Sequence, residues 1–224
     1  KLYDVDLRLR PSGRAGPVAT SLESFHLYQR EEAWTWEHMA LTRARVVSAP
    51  PDFRARVERE IREVLCAERD PGIVARDVAE MRGAVAEEKG EDDRWDLKYA
   101  AGGLVDLEFI AQYLQLVHAA TTPAILDTHT GRVLEAAQSL KLIAKEDADT
   151  LRAAFTLYHD LTQVLRLCLT SKFDPRTAGP RLLALLARAG ELPDFATLEA
   201  HLIETQAKVR KLFEKIVGRA AAAN

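Results

Sequence analysis

Hydrophobic and polar residues alternate strictly at the start of the chain, from residue 2 to residue 10. This period of two predicts a β-strand, which the Pro-Ser-Gly run at residues 11–13 ends. One face of the strand would carry Tyr3, Val5, Leu7 and Leu9, and the other Asp4, Asp6, Arg8 and Arg10. A lone strand is not stable by itself, so we expect its partner strands to come from residues outside the chain or from another molecule.

The rest of the chain has apolar residues three and four positions apart, which is the period of amphipathic helices. Pro and Gly residues separate the helical segments. The predicted segments are residues 21–47, 51–69, 73–88, 104–120, 131–140, 146–171, 181–189 and 194–217. The predicted fold class is therefore mainly α, an antiparallel helical bundle preceded by one strand. The Ala-rich tail at 219–224 is expected to be frayed.

Composition excludes several classes of function. The formal net charge of -3 argues against a general nucleic-acid-binding protein, which needs excess positive charge to neutralise phosphates. No apolar stretch approaches the ~20 residues of a membrane span. The two cysteines, Cys66 and Cys168, are too far apart for a CxxC zinc site, and their scarcity fits a reducing cytoplasm rather than a disulfide scaffold.

The charged face of the predicted strand is the first candidate for chemistry. In one interpretation, it faces solvent and forms ion pairs with a neighbouring strand. In the other, its carboxylates hold Mg²⁺, which prefers oxygen ligands, and its arginines receive phosphate oxygens. Pattern alone leaves both interpretations open.

Asp106 is the second candidate because it lies on the apolar face of the helix predicted at 104–120. A carboxylate in that position needs a partner, and Arg82 and Lys98 are the predicted candidates for a buried salt bridge. A ligand-binding or catalytic role is the alternative. The polar residues of this helix lie on the opposite side: Glu108, Gln112, Gln115 and His118.

The third candidate is the segment from Trp34 to His38 and the two arginines that follow it. Trp34 and His38 are four residues apart, so a continuous helix would place them on one face as core aromatics with a hydrogen-bonded histidine. Arg43 and Arg45 would lie about 200° apart on a helix. We expect one of them to reach back to the charged strand.

Three motifs resemble the bacterial glutamine synthetase adenylyltransferase/deadenylylase family. They are YDVDLRLRPSG at 3–13, YQREEAWTWEH at 28–38 continuing into LTRARVV at 41–47, and GGLVDLEFIAQ at 102–112. Together they extend over the first half of the chain. The second half is similar to the family only in its helical character, and the third motif is also similar to one in the uridylyltransferases that modify the signal protein PII.

The resemblance implies an enzyme with two nucleotidyltransferase units, each followed by a helical bundle. One unit would transfer AMP from ATP to a tyrosine of glutamine synthetase, and the other would remove it by phosphorolysis. PII and glutamine, as effector, would select the reaction. The implied cofactors are ATP and Mg²⁺, and the Trp-rich segment favours the C-terminal, adenylylating unit.

The resemblance also implies site residues. Such nucleotidyltransferases hold Mg²⁺ with two carboxylates of a Gly-Ser…Asp-x-Asp element and a third on a later strand, which Val5-Asp6-Leu7 matches. Asp6 is thus the expected catalytic and metal-binding residue, and Asp4 is a second possible metal ligand. The expected nucleotide-binding residues are Arg8, Arg10, Arg43 and Arg45. The Gly-Ser…Asp-x-Asp element is absent from this sequence, so we expect it upstream and expect the fragment alone to be inactive.

The predicted organisation has three parts: residues 1–49 as the remnant of a nucleotidyltransferase domain, 50–218 as a helical bundle domain, and 219–224 as the tail. Two alternatives remain open. The chain could be a non-enzymatic helical interaction module, or it could be a relative of the PII uridylyltransferases.

Overall fold

The computed structural model describes residues 10–222, with every side chain in this range except those of Arg14 and Ala222. The predicted strand at 2–10 therefore lies outside the described residues, apart from Arg10, which is in a bend. Within the described part of the chain all regular secondary structure is helical. The prediction of a mainly α protein is confirmed for these residues.

Ten α-helices follow one another in the described residues, with short 3₁₀ turns at Gly13–Ala15 and Pro123–Ile125. The helices are α1 (Leu22–Glu31), α2 (Thr35–Leu41), α3 (Pro51–Leu65), α4 (Pro71–Lys89), α5 (Leu104–His118), α6 (Thr130–Ser139), α7 (Lys145–Cys168), α8 (Pro180–Ala189), α9 (Phe195–Phe213) and α10 (Arg219–Ala222). A π-helical turn at Glu214–Gly218 joins α9 to α10. None of these helices is long and apolar enough to cross a lipid bilayer.

Helix α5 is the centre of the bundle. It is apolar around most of its circumference, and a helix with that pattern is buried on all sides. Helices α4, α6, α7 and α9 all pack against it. The predicted polar face of α5 is covered as well, since Gln112 and Gln115 are both buried.

The single helix predicted at 21–47 is wrong, because the chain forms α1 and α2 with a break between them. Trp34 is the N-cap of α2, and its backbone N–H donates to Glu37 Oε2 at 2.9 Å. A carboxylate three residues into a helix stabilises the exposed N–H groups at its start. The chain after Leu41 then runs without α-helix to Pro51.

The prediction of Trp34 as a core aromatic is also wrong. As a cap residue it does not share a helix face with His38, and its side chain is 71% exposed. Trp36 is 38% exposed. The histidine is hydrogen-bonded as predicted, because His38 Nε2 lies 2.9 Å from the carbonyl oxygen of Gln29 and donates to it.

The start of the tail is helical rather than frayed. Residues Arg219–Ala222 form α10, which packs against α4. Ala220 and Ala221 contact the apolar core. Alanine has the highest helix propensity, and its small side chain lets helices approach closely, which explains the order of this segment. Residues 223–224 lie outside the described range.

Candidate functional site

Of the strand residues predicted to bind metal or nucleotide, Asp4, Asp6 and Arg8 lie outside the described residues. Arg10 is described, and its guanidinium lies near the carbonyl oxygen of Gly16, with Nη2 at 3.3 Å. Among residues 10–222 no group of three or more His, Cys, Asp or Glu side chains is placed to hold a metal ion. The predicted metal ligands Asp4 and Asp6 stay a prediction.

Arg10 and Arg43 line one cavity of about 370 Å³, which we call the Arg10–Arg43 cleft. Its other lining residues come mainly from α1 and α2: Phe25, Gln29, Glu37, Ala40, Leu41 and Ala44. Arg43 Nη1 donates to Glu108 Oε1 on α5 at 2.5 Å, and this ion pair is partly exposed. The structure thus brings together two of the four arginines predicted to bind nucleotide.

Hydrogen bonds between α1 and α2 fix the walls of this cleft. Tyr28 donates its hydroxyl proton to Glu37 Oε1 at 2.8 Å, and His38 holds the carbonyl of Gln29. Burial, followed by the hydrogen bond to the Glu37 carboxylate, raises the pKa of Tyr28, so its hydroxyl remains a donor at neutral pH. Hydrogen bonds of the chain itself therefore link the two helices.

The stability of this arrangement should depend on pH. Burial lowers the pKa of His38, with the Arg69 charge acting in the same direction and the Gln29 carbonyl opposing it. As the pH falls below about 6.5, the ordinary pKa of histidine, His38 takes up a proton in the unfolded chain before it does so in the folded chain. The folded state should therefore lose stability as the pH falls through this value. Burial also lowers the pKa of His118 and His159, so they add to the same trend.

Urea unfolding at about pH 5.5 and about pH 7.5 would measure this effect. The variant His38→Gln retains a donor for the Gln29 carbonyl but cannot titrate, so it should lose less stability on acidification than the wild-type chain. An equal loss in both proteins would show that His38 does not contribute to the pH dependence.

Arg45 lines a different cavity from Arg43. This second cavity, which we call the α3 cavity, measures about 410 Å³ and lies between α3, the segment after α2 and residues 126–128. Leu41 and Ala44 line both cavities, so the end of α2 separates them. Arg43 and Arg45, both predicted to bind nucleotide, therefore do not line the same cavity.

Asp106 is fully buried at the start of α5, with 0% of its side chain exposed. Arg82 on α4 donates from Nε to Asp106 Oδ1 at 2.5 Å, and the backbone N–H of Gly102 donates to Oδ2 at 2.5 Å. Lys98, the other predicted partner, lies over the ring of Tyr99 instead. With both carboxylate oxygens engaged and no exposed surface, Asp106 is placed to hold the bundle together.

Three residues that the sequence reasoning missed surround this buried pair: Tyr158, which is buried, and Glu91 and Arg210, which are partly exposed. Glu91 accepts from Arg82 Nη2 at 2.8 Å, and Arg210 Nη1 lies 3.8 Å from Asp106 Oδ1. Tyr158 on α7 donates to the carbonyl oxygen of Gly102 at 2.9 Å, and burial together with the Asp106 charge raises the pKa of Tyr158. No short-range pattern marks these residues, because they come from separate segments of the chain.

Gly102 is required at the turn that leads into this cluster. Its φ is +76°, and a Cβ there would lie 1.9 Å from the carbonyl oxygen of Gln206 on α9. Only glycine combines this backbone conformation with so close an approach. The glycine pair before α5 therefore serves close packing between α5, α7 and α9.

Two family models match different parts of the chain. A family model described as "Glutamate-ammonia ligase adenylyltransferase" matches residues 1–60, and a model described as "GlnD PII-uridylyltransferase" matches residues 77–217. The first match contains the predicted strand, α1, α2 and the cleft between them. The second contains α5 and the buried Arg82–Asp106 pair.

Curated relatives match nearly the whole chain. Proteins named "Bifunctional glutamine synthetase adenylyltransferase/adenylyl-removing enzyme" are 63% identical over 97% of the chain in Rhodopseudomonas palustris (strain BisB5), 62% over 96% in a Bradyrhizobium species (strain BTAi1), and 61% over 99% in Xanthobacter autotrophicus. The chain spans 22% of the length of each. The chain belongs to the family of bifunctional glutamine synthetase adenylyltransferase/adenylyl-removing enzymes, and its helical part belongs to the domain family described as GlnD PII-uridylyltransferase.

Proposed function

We propose that a protein containing this chain transfers AMP from ATP to a tyrosine of glutamine synthetase and, in a second unit, removes it by phosphorolysis. In the forward step the tyrosine oxygen forms a bond to the α-phosphorus of ATP. The bond from that phosphorus to the pyrophosphate oxygen breaks, and the phenolic proton passes to a base. The names of relatives more than 60% identical over nearly the whole chain support this proposal.

The single observation that carries the proposal is the convergence of Arg10 and Arg43 on one cleft. Arg10 ends the predicted strand that carries Asp6, and Arg43 lies two residues after the end of α2. Arginine side chains in one cleft suit the phosphate oxygens of a nucleotide, since the planar guanidinium can donate two parallel hydrogen bonds. Within the proposal, Arg10 and Arg43 bind the phosphates from this cleft, Arg8 joins them as predicted from the sequence, and Arg45 lines the other cavity.

Asp4 and Asp6 fit Mg²⁺ in the chemistry of their donors, because the ion prefers carboxylate oxygens. Mg²⁺ would neutralise charge on the phosphates and orient the leaving pyrophosphate. In the proposal Asp6 is the catalytic ligand and Asp4 the alternative one. The remaining carboxylates would come from a Gly-Ser…Asp-x-Asp element that this sequence does not contain, so the chain alone would not transfer AMP.

The distribution of exposed apolar side chains supports the assignment of residues 1–49 to a larger catalytic domain. Five of the nine large apolar side chains that are exposed among the described residues lie between positions 18 and 47: Val18, Leu27, Trp34, Trp36 and Val47. Large exposed apolar surface marks a site of contact. The proposed occupant is the rest of the nucleotidyltransferase domain, which the longer relatives have room to encode.

The helical part is the proposed regulatory region. The description of the family model that matches residues 77–217 names a PII-uridylyltransferase, and this favours PII as a partner of the bundle. Glutamine is the proposed effector. In this assignment the chain belongs to the adenylylating unit, and a purely structural interaction module is the alternative.

A chimeric enzyme tests the proposal. The matching segment of the R. palustris relative would be replaced by this chain, and transfer of labelled AMP from ATP to glutamine synthetase would be measured. We expect the chimera to transfer AMP and the isolated chain to show none. Transfer by the isolated chain would contradict the proposed dependence on an upstream element, and a folded chimera without activity would favour the interaction-module alternative.

A further inference from the structure

The α3 cavity contains a buried amide with an unused donor. Gln115 on α5 lines this cavity, although the residue as a whole is only 2% exposed. Its Oε1 accepts a hydrogen bond from the backbone N–H of Asp127 at 3.0 Å, and this bond fixes the orientation of the amide. No group in residues 10–222 accepts a hydrogen bond from its Nε2. This Nε2 donor is not sealed in the core, so it is open to a ligand or to water in the cavity.

Two solvent-exposed arginines at the same cavity are not paired with a carboxylate. Arg45 and Arg62 both line it, and neither makes an ion pair or a side-chain hydrogen bond within the described part of the chain. The lining carboxylates are already engaged. Glu58 lies 3.5 Å from Arg54, and Asp127 accepts from Arg132 at 2.8 Å.

The remaining wall of the α3 cavity is apolar, in contrast to the side that carries the arginines. It is made of apolar side chains from α2, α3 and the segment before α6: Leu41, Ile61, Leu65 and Leu126. The volume of about 410 Å³ falls within the range of small-molecule sites. The cavity therefore offers cationic and amide donors beside an apolar surface.

We propose that the α3 cavity binds an organic phosphate monoester, separately from the Arg10–Arg43 cleft. The phosphate would lie between the Arg45 and Arg62 guanidinium groups and accept a hydrogen bond from Gln115 Nε2. The organic group would lie on the apolar wall. A phosphate monoester carries about -1.5 to -2 charges at neutral pH, which matches two unpaired arginines better than a single carboxylate does.

The site is independent of AMP transfer. Arg43 and Arg10 face the other cleft, and the only lining residues that the two cavities share are apolar, Leu41 and Ala44. Loss of ligand binding at the α3 cavity and loss of the nucleotide site can therefore be observed separately.

The test is an NMR titration of the ¹⁵N-labelled 224-residue chain with phenyl phosphate, which combines a phosphate with a planar apolar group. The side-chain amide signals of Gln115 report directly on the proposed contact. We expect a saturable shift of these signals, with tighter binding of phenyl phosphate than of inorganic phosphate or phenol. The double variant Arg45→Gln/Arg62→Gln should weaken binding at least tenfold.

Arg59→Gln is the matched control, because Arg59 is an exposed arginine on the same helix that does not line the cavity. It should leave binding of phenyl phosphate unchanged. The proposal is overturned if the Gln115 signals do not shift saturably up to about 10 mM phenyl phosphate. It is equally overturned if Arg59→Gln weakens binding as much as the double variant, since binding would then reflect surface charge only.

Discussion

Replacing Asp106 with alanine should destabilise the chain by about 3–5 kcal/mol, which is the usual cost of removing one partner of a buried ion pair. The side chain of Arg82 is 2% exposed, and its shortest hydrogen bond is the one that it donates to Asp106. Without that carboxylate, the guanidinium would retain its charge in the core with only the partly exposed Glu91 as an ionic partner. Arg82 Nη1 already lacks a hydrogen-bond partner in the described structure, so there is no spare contact to compensate.

A thermal melt measures this effect. For a chain of this size a loss of 3–5 kcal/mol corresponds to a fall in Tm of about 10 °C. Asp149→Ala is the matched control, because Asp149 forms a surface pair with Lys145 and its removal should change Tm little. A Tm for Asp106→Ala within about 2 °C of the wild-type value would contradict a structural role for the buried carboxylate.

A second pair of variants separates the cost of a stranded charge from the value of the pair. Replacing both partners with apolar residues, as in Arg82→Met/Asp106→Leu, should recover much of the stability lost in Asp106→Ala, because the fully buried pair is then removed and the partly exposed Glu91 and Arg210, 3.9 Å apart, can pair with each other. If the double variant is as unstable as the single one, the Gly102 N–H contact with Asp106 is the interaction that matters.

Asp6→Asn in the chimeric enzyme should lower AMP transfer at least about a hundredfold. A metal ligand contributes several kcal/mol of charge stabilisation in the transition state, and each 1.36 kcal/mol corresponds to a factor of ten in rate. Asparagine retains the size of the side chain but loses its charge. The thermal stability of the chimera should therefore be unchanged.

Asp4→Asn is the internal control for this experiment. Asp4 would share the strand face with Asp6, but the family resemblance places the metal ligand at Val5-Asp6-Leu7. We expect a smaller loss of activity than for Asp6→Asn. If Asp6→Asn remains active while Asp4→Asn does not, Asp4 rather than Asp6 is the main metal ligand. If both variants remain active, the strand does not carry the metal site.

The buried pair shows what sequence reasoning can reach. The helical period placed Asp106 among apolar residues, and the need for a countercharge limited its partner to nearby cations, of which Arg82 is the one observed. The participation of Arg210 and Tyr158 could not be predicted in the same way. Both come from distant helices, and only the packing of α7 and α9 against α5 brings them to the site.

The segment from Trp34 to His38 shows where the same reasoning fails. Helical spacing predicted Trp34 in the core. Instead, Trp34 is the N-cap of a new helix, and its backbone N–H donates to the Glu37 carboxylate. A tryptophan at the N-cap lacks the usual Ser, Thr, Asp or Asn signal, so local pattern gave no warning. Gln115 is a related case, since a polar face of α5 that looks solvated in sequence is covered by neighbouring segments.

The most direct test of the account is the affinity of the chimeric enzyme for Mn²⁺, a paramagnetic substitute for Mg²⁺, in the presence of ATP. Electron paramagnetic resonance counts free Mn²⁺ and so gives the bound fraction. If Asp6 holds the metal, Asp6→Asn should weaken Mn²⁺ binding at least about tenfold while Tm stays unchanged. Equal affinity in the wild-type chimera and in Asp6→Asn would contradict the claim that this segment forms part of a metal–nucleotide site.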